Sequence, residues 1–210
     1  MTNNEIADIA QQYSMTNSKN IMETIISMQD LAQRGIEGDF VECGVWKGGH
    51  VIAALLSSTY PRQYWLFDTF DGMTEPGEQD FKRGAHATTM AKYRKLGIKN
   101  WCRAELEEVQ NNIKPHQRSD QQLHYVVGPV EQTLTSHELP EKISMLRLDT
   151  DFYASTKIEL EILWPRLVPG GVLIIDDYKS WQGCRQACDE YFQDRVEYLP
   201  IGGSAVKVIK

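Results

Sequence analysis

The sequence predicts an α/β fold with a mostly parallel sheet, and three observations support that class. The chain has 210 residues, of which 41% are hydrophobic and 24% charged, enough apolar mass for the core of one ordinary domain. Short strand patterns rich in Val and Ile alternate with helical periodicities from about residue 39 onward. The last pattern is typical of a hairpin around Gly202-Gly203, so we expect an antiparallel edge at the end of the chain.

Residues 1–37 are expected to form a helical cover over the sheet. Apolar side chains recur at helical spacing from Ile21 to Ala32, and the pattern stops at Arg34-Gly35, a plausible C-terminal cap. The first residues are polar and acidic, without the cationic start and apolar stretch of a secretory signal. We therefore expect a cytoplasmic protein.

Five segments have the composition of buried strands, and helices are predicted between them. One helix is expected to begin at a capping box formed by Thr156 and Glu159, and another at 182–192. The predicted strands are 39–43, 63–68, 123–127, 143–149 and 172–176.

Residues 72–122 form a polar stretch that is longer than a crossover connection requires. It contains a helix candidate at 104–113, and its first part is rich in turn residues. We interpret it as an insertion that resembles a lid. Because it offers no second core, the prediction is a single domain over residues 1–210.

The first candidate site is a glycine-rich turn between a strand and a helix, with Gly44, Gly48, Gly49 and His50 in it. Glycines let a ligand approach the backbone closely, and the helix start adds N–H donors. Glu42, just before the turn, would repel a pyrophosphate but suits a cationic ligand end such as an amino group. The turn therefore favours S-adenosylmethionine over NAD, and tight packing is the alternative role of its glycines.

A second candidate is Asp68 at the end of the second strand, about 24 residues beyond Gly44. An acidic residue in this position can accept hydrogen bonds from both hydroxyls of a ribose. Capping of the following loop is the alternative role.

The third candidate is an acidic cluster formed by two strand ends. Asp149 and Asp151 follow one strand, and Asp176 and Asp177 follow the next. If these strands are parallel and adjacent, the four carboxylates meet at the edge where open α/β sheets bind ligands. They would repel one another unless protonated or bridged by a hard cation, Mg²⁺ first, with Mn²⁺ and Ca²⁺ as alternatives. Helix capping and plain solvent exposure are the alternative roles for these carboxylates.

Charge and hydropathy exclude two classes of partner. A formal net charge of −7 argues against nucleic acid, which needs a basic surface. The longest apolar runs fall far short of the roughly 20 residues that span a membrane. We expect a small-molecule partner instead.

Five segments of the chain, in order, carry a resemblance to a known family. The first reads Gly-Asp-Phe-Val-Glu-Cys-Gly-Val-Trp-Lys-Gly-Gly at 38–49, and the fourth reads Leu-Arg-Leu-Asp-Thr-Asp-Phe-Tyr-Ala-Ser-Thr at 146–156. The others lie at 67–76, 106–112 and 170–178. Together they resemble the macrocin O-methyltransferase family, small class I enzymes that use S-adenosylmethionine to methylate sugar hydroxyls of natural products.

The resemblance implies a Rossmann-like, seven-stranded sheet with a reversed last strand, and a cofactor over the glycine turn. It implies a Mg²⁺ held by Asp149, Asp176 and Asp177, with Asp151 nearby as a candidate base or supporting group. This chain departs from the family at His50, where a small hydroxyl residue is common, and at Thr150, where glycine is common. The N-terminal part is also shorter than in many members, so we expect part of the usual substrate cover to be either missing or supplied by a neighbouring subunit. A homodimer is the expected oligomeric state.

The mechanism we expect is an in-line transfer of a methyl group to an alcohol oxygen, with a divalent ion and a carboxylate, Asp149 or Asp151, assisting loss of the proton. Glu42 and Asp68 would hold the cofactor, and residues Gly128 to Val130 would flank its adenine. Two other classes stay open. Asp149-x-Asp151 is also a pattern of metal-dependent glycosyltransferases that use nucleotide sugars, and the chain could be a non-catalytic module that binds S-adenosylmethionine or S-adenosylhomocysteine.

Overall fold

The computed structural model describes residues 1–97 and 100–210 and contains a seven-stranded mixed sheet with a separate two-stranded hairpin. The strands are β1 (Asp39–Cys43), β2 (Gln63–Asp68), β3 (Phe81–Lys82), β4 (Ala85–His86), β5 (Gln122–Val127), β6 (Ile143–Leu148), β7 (Leu167–Ile175), β8 (Leu199–Pro200) and β9 (Val206–Ile209). Strands β3 and β4 form the hairpin, and the others follow the order β5-β2-β1-β6-β7-β9-β8.

The sheet is parallel from β5 to β7 and antiparallel where β9 pairs with β7 and β8. The predicted fold class and reversed final strand are therefore confirmed. Because β1, β2, β5, β6 and β7 run in the same direction, their carboxyl ends meet at one edge, which carries the candidate site.

Alternate residues of the central strands enter two different cores. Val41 and Leu146 belong to the core on one face, whereas Phe40 and Met145 belong to the core on the other. Both cores are covered by helices, so every residue of β6 is buried. This explains why apolar residues stand at consecutive positions of the central strands rather than only at alternate ones.

The helices are α1 (Asn3–Gln11), α2 (Ser18–Gln33), α3 (Gly49–Ser57), α4 (Ala91–Leu96), α5 (Leu106–Ile113), α6 (Val130–Ser136), α7 (Tyr153–Leu163) and α8 (Gln182–Phe192). Side chains of α2, α3 and α5 cover one face, and those of α6, α7 and α8 cover the other. Among the helices in the described ranges, none has the length and apolar character needed to cross a membrane.

The N-terminal cover consists of two helices where the sequence pattern predicts one. Helix α1 begins with a capping box between Thr2 and Glu5 and packs on α2 and α3 through Ile6, Ala7 and Ala10. Helix α2 ends close to the predicted stop and is followed by Gly35 with φ of 66°. The polar composition of α1 hides its narrow apolar stripe.

The capping box predicted for the helix after β6 is wrong. Helix α7 begins earlier, at Tyr153, so Thr156 and Glu159 lie inside it and are buried. The carboxylate of Asp80 caps the helix instead, because Tyr153 N–H donates to Asp80 Oδ1 at 2.8 Å. The long insertion thus supplies the cap, a contact between distant parts of the chain that local sequence does not reveal.

Candidate functional site

A cavity of about 610 Å³ opens at the carboxyl edge of the parallel strands. Gly44 after β1, Asp68 at the end of β2 and Gly128 after β5 form one part of its lining. Asp149 and Asp176, which follow β6 and β7, form another. The cavity therefore contains both the glycine turn and the acidic cluster.

The turn after β1 needs glycine at its first position. Gly44 has φ of 83°, and a Cβ there would lie 2.1 Å from the carbonyl oxygen of Asp149. No side chain fits this approach between the ends of β1 and β6. As a result, the glycine turn and the acidic cluster are in direct backbone contact.

Asp68 organises the same turn through both carboxylate oxygens. Its Oδ2 accepts from the backbone N–H groups of Val45 at 2.7 Å and Trp46 at 3.0 Å, and its Oδ1 accepts from Phe70 N–H at 2.8 Å. Burial raises the pKa of Asp68, and these bonds oppose the rise. The carboxylate borders the cavity while it caps the loop, so the two roles considered from the sequence are compatible.

Gly128 and Val130 line the cavity beyond Asp68. The N–H of Gly128 donates to the carbonyl oxygen of Asp68 at 2.9 Å, which joins the ends of β5 and β2. Gly128 has φ of 135°, so this turn also uses a conformation that favours glycine.

Four residues predicted to bind the cofactor lie outside the lining of this cavity. A Cβ on Gly48 would contact Ile113, and one on Gly49 would contact the carbonyl oxygens of Ala10 and Tyr13. These two glycines permit close packing around the start of α3. The other two residues are Glu42 and His50, and cofactor binding by all four stays a prediction.

His50 is buried between two threonines rather than exposed to the cavity. Its Nε2 lies 2.8 Å from Thr16 Oγ1, and its Nδ1 lies 2.8 Å from Thr24 Oγ1. Burial and the charge of Arg147 lower the pKa of His50 well below its ordinary value, so the ring is neutral. Because Thr16 lines the cavity, His50 is connected to the cavity wall through this hydrogen bond.

The acidic cluster forms at the ends of β6 and β7. One carboxylate oxygen from each of Asp149, Asp151 and Asp177 lies within 4.8 Å of the others. Asp151 has φ of 67°, a left-handed conformation that aspartate tolerates. Ser180 Oγ donates to Asp177 Oδ1 at 2.6 Å, whereas Asp177 Oδ2 is buried without a hydrogen-bond partner among the described residues.

Asp149, Asp151 and Asp177 hold protons more tightly than ordinary carboxylates do, because their pKa values are raised. Burial, reinforced by Asp149, raises the pKa of Asp151 to about 6. Burial, Asp151 and Asp176 raise the pKa of Asp177 well above its ordinary value. Such an all-oxygen set, with one unpartnered buried oxygen, has the chemistry of a site for a hard divalent cation.

Asp176 lies beside these three residues, but one of its oxygens accepts hydrogen bonds from an arginine and an asparagine. Its Oδ1 accepts from Arg147 Nη2 at 2.8 Å and from Asn20 Nδ2 at 3.2 Å. The four predicted acidic residues thus all line one cavity. Three of them each bring a carboxylate oxygen within 4.8 Å of the others, and Asp176 is bonded to a guanidinium. The assignment of Asp149, Asp176 and Asp177 as the metal ligands stays a prediction.

Arg147 is the central residue that sequence reasoning missed. It is 1% exposed, and its guanidinium donates at 2.8 Å to each of Glu42, Asp149 and Asp176. Burial alone would lower the pKa of Arg147, but the three carboxylates raise it above its ordinary value. An arginine in the middle of a buried strand pattern was the available signal, because such a charge requires buried partners.

The comparison with known proteins decides the family. The family model for macrocin-O-methyltransferase (TylF) matches residues 5–201. The chain belongs to this family. A curated tetracenomycin 4'-O-methyltransferase that acts on a dimethoxyrhamnosyl compound, from Streptomyces olivaceus, is 33% identical over 85% of this chain and 67% of that protein. Demethyldecarbamoylnovobiocin O-methyltransferase from Streptomyces niveus is 30% identical over 87% of this chain and 68% of that protein.

Solved structures agree with this placement. The O-methyltransferase NovP has a TM-score of 0.79 and 28% identity, with 94% of this chain and 82% of that chain covered. The calicheamicin methyltransferase CalS11 shares the fold, with a TM-score of 0.68 and 17% identity over 99% of this chain and 90% of that chain. This member of the macrocin O-methyltransferase family is therefore an S-adenosylmethionine-dependent O-methyltransferase, which sets aside the glycosyltransferase and non-catalytic alternatives.

Proposed function

We propose that this enzyme methylates a hydroxyl of a sugar on a small molecule and that it uses a divalent cation, Mg²⁺ first, to do so. The observation that carries the proposal is that the glycine turn and the acidic cluster share one cavity. Sugar acceptors are favoured because one of the named relatives acts on a rhamnosyl compound.

For the cofactor, we assign direct contacts to the residues that border the cavity. Asp68 keeps lone pairs on both oxygens beside its backbone bonds and would accept from the ribose hydroxyls. Gly44 offers backbone without a Cβ, and Gly128 and Val130 would flank the adenine. Glu42, Gly48, Gly49 and His50 would support these contacts from behind the cavity wall.

For the ion, Asp149, Asp176 and Asp177 would supply carboxylate ligands. A bound divalent cation would lower the pKa of a sugar hydroxyl and orient its oxygen. The raised pKa values of Asp149 and Asp177 fit such a site, because a cation would replace the protons that those carboxylates otherwise hold.

We assign the role of base to Asp151. Its carboxylate lies in the cavity next to the proposed ligands, and its pKa of about 6 lets it accept a proton near neutral pH. Asp149 is the less suitable base because Arg147 already donates to its Oδ2. The acceptor would enter past the insertion, which contributes Met73 and Lys82 to the lining.

A methyl-transfer assay with S-adenosylmethionine tests the function. The acceptor panel contains deoxysugar glycosides, nucleotide-linked deoxysugars and a catechol, each with EDTA or with added Mg²⁺. We expect methylation of a sugar compound that EDTA abolishes and Mg²⁺ restores. Full activity in EDTA would contradict the ion, and exclusive use of the catechol would contradict the sugar.

The predictions on location, oligomeric state and nucleic-acid binding stay predictions. A cytoplasmic location, a homodimer and the absence of nucleic-acid binding are expectations from the sequence. Analytical ultracentrifugation checks the homodimer, which should sediment with twice the 24.0 kDa mass of the chain.

A further inference from the structure

Three carboxylates from three neighbouring strands meet on one buried guanidinium. Arg147 lies near the end of β6 and donates through Nη1 to Glu42 of β1 and to Asp149, and through Nη2 to Asp176 after β7. Each bond is 2.8 Å long. Only a planar guanidinium with several donors can make this set of bonds from one position.

The bonds of Arg147 select which carboxylate oxygens remain available. Arg147 binds Oδ2 of Asp149 and Oδ1 of Asp176, and Asn20 binds that same Oδ1. Asp149 Oδ1 and Asp176 Oδ2 receive no side-chain hydrogen bond from the described part of the chain. Both residues line the cavity, and each keeps one oxygen without a side-chain hydrogen bond among the described residues.

Glu42 holds Arg147 from the side away from the cavity. It is 1% exposed, does not line the cavity, and accepts from Arg147 through Oε1. Burial raises the pKa of Glu42 to about 8 although Arg147 opposes the rise. Keeping this carboxylate ionised in its buried position therefore costs free energy. A buried acid in contact with the arginine is consistent with a role in fixing the guanidinium.

We propose that Arg147 is the positioning residue of the ion site and that Glu42 fixes it. Arg147 binds one oxygen of Asp149 and one of Asp176, which holds the other oxygen of each ready for a divalent cation. The inference rests on the proposed function, since that function includes the ion. It adds that ion affinity depends on a residue that does not ligate the ion.

The test is calorimetric titration of Mn²⁺ and, separately, of S-adenosylhomocysteine into the whole protein and its variants. Arg147→Lys keeps the charge but loses the fork that reaches two carboxylates. Arg62→Lys is the matched control, because Arg62 is 7% exposed and donates to the carbonyl oxygen of Ile36 at the opposite edge of the sheet. Glu42→Gln is a milder variant of nearly the same shape.

We expect Arg147→Lys to weaken Mn²⁺ binding at least tenfold while its S-adenosylhomocysteine affinity stays within threefold of wild type. Glu42→Gln should weaken Mn²⁺ binding about threefold. Arg62→Lys should lower the melting temperature but leave the Mn²⁺ affinity unchanged. Two results would overturn this inference but leave the proposed function standing. One is wild-type Mn²⁺ affinity in both Arg147→Lys and Glu42→Gln, and the other is a loss of Mn²⁺ affinity in Arg62→Lys equal to that in Arg147→Lys. A wild-type protein that binds S-adenosylhomocysteine but no Mn²⁺ would overturn the ion in the proposed function, and this inference with it.

Discussion

Asp151 shows how backbone conformation at a single residue shapes the acidic cluster. Strand β6 ends at Leu148, directly after Arg147, and three residues later the chain turns back through the left-handed conformation of Asp151. This turn brings its carboxylate to Asp149 and Asp177, which belong to different strand ends. Most side chains would be strained in that conformation, whereas aspartate tolerates it.

Substitution of Asp151 by Asn tests its role as the base. The amide keeps the size and tolerates the same backbone conformation, but it does not accept the proton. We expect turnover to fall by roughly 10²- to 10⁴-fold. Binding of S-adenosylhomocysteine should be unchanged, as measured by calorimetry.

The matched control for this variant is Asp71→Asn. Asp71 is exposed and pairs with Arg103 on the surface, so this variant should keep wild-type turnover. An Asp151→Asn enzyme that retains more than a tenth of the activity would contradict the assignment and favour Asp149 as the base.

The acidic residues were predictable from the sequence because their positions follow from strand ends alone. A carboxylate directly after a parallel strand must lie at the carboxyl edge, and that holds for Asp149 and Asp176. Sequence patterns do not specify which oxygen bonds to which donor. For that reason the bonds of Arg147 were not predictable, nor was the placement of Glu42 and His50 behind the cavity wall.

At the scale of elements, one buried aspartate connects the first part of the insertion to the starts of helices α7 and α8. Asp80 is 0% exposed, accepts from Tyr153 N–H at the start of α7, and also accepts from Gly77 N–H at 2.7 Å. Gly183 at the start of α8 makes room for it, because a Cβ there would lie 2.0 Å from Asp80 Oδ1. Beside this contact, Lys82 lies over the ring of Trp181 at 4.9 Å.

Replacement of Asp80 by Ala should loosen this attachment. Loss of the cap of α7 costs about 1–2 kcal/mol of unfolding free energy, which chemical denaturation measures. Hydrogen exchange should increase for the backbone of residues 77–87, while the sheet core keeps its protection. Unchanged exchange in the insertion would show that other contacts hold it.

Elements with a strong local pattern were predictable, and those set by distant contacts were not. The bounds predicted for the strands at 39–43 and 63–68 are those observed for β1 and β2. Helix α7 begins before its predicted start because its cap comes from Asp80, 73 residues earlier in the chain. Within residues 72–122, of which 98–99 lie outside the described residues, helix α5 confirms the candidate at 104–113, whereas the hairpin of β3 and β4 had no local pattern to predict it.

At the scale of the whole molecule, the acidic cluster links stability to pH and to the ion. The pKa of Glu42 rises from 4.5 to about 8 and that of Asp151 from 3.8 to about 6 on folding. At these two residues the folded chain therefore binds more protons than the unfolded chain across this window. Their contribution to the unfolding free energy falls as the pH rises from about 4 to about 8, and the lowered pKa of His50 opposes it.

Scanning calorimetry at pH 6 and pH 8 checks this linkage. In EDTA, the melting temperature should be several degrees lower at pH 8 than at pH 6, since each kcal/mol shifts it by roughly 2–4 °C for a chain of this size. Saturating Mg²⁺ should remove most of the difference, because a cation stabilises the ionised carboxylates. A melting temperature that rises with pH in EDTA would contradict this linkage.

The strand order also has a consequence for how acceptor preference evolves. Strand β1 separates β2 and β5, whose ends we assign to the methyl donor, from β6 and β7, whose ends we assign to the ion and the base that act on the acceptor. Mutations in loops on the second flank, such as the one at Gly203 and Ser204, can reshape the acceptor side while the donor side keeps its fit. Acceptor preference can in this way change within the family while the binding of the methyl donor is retained.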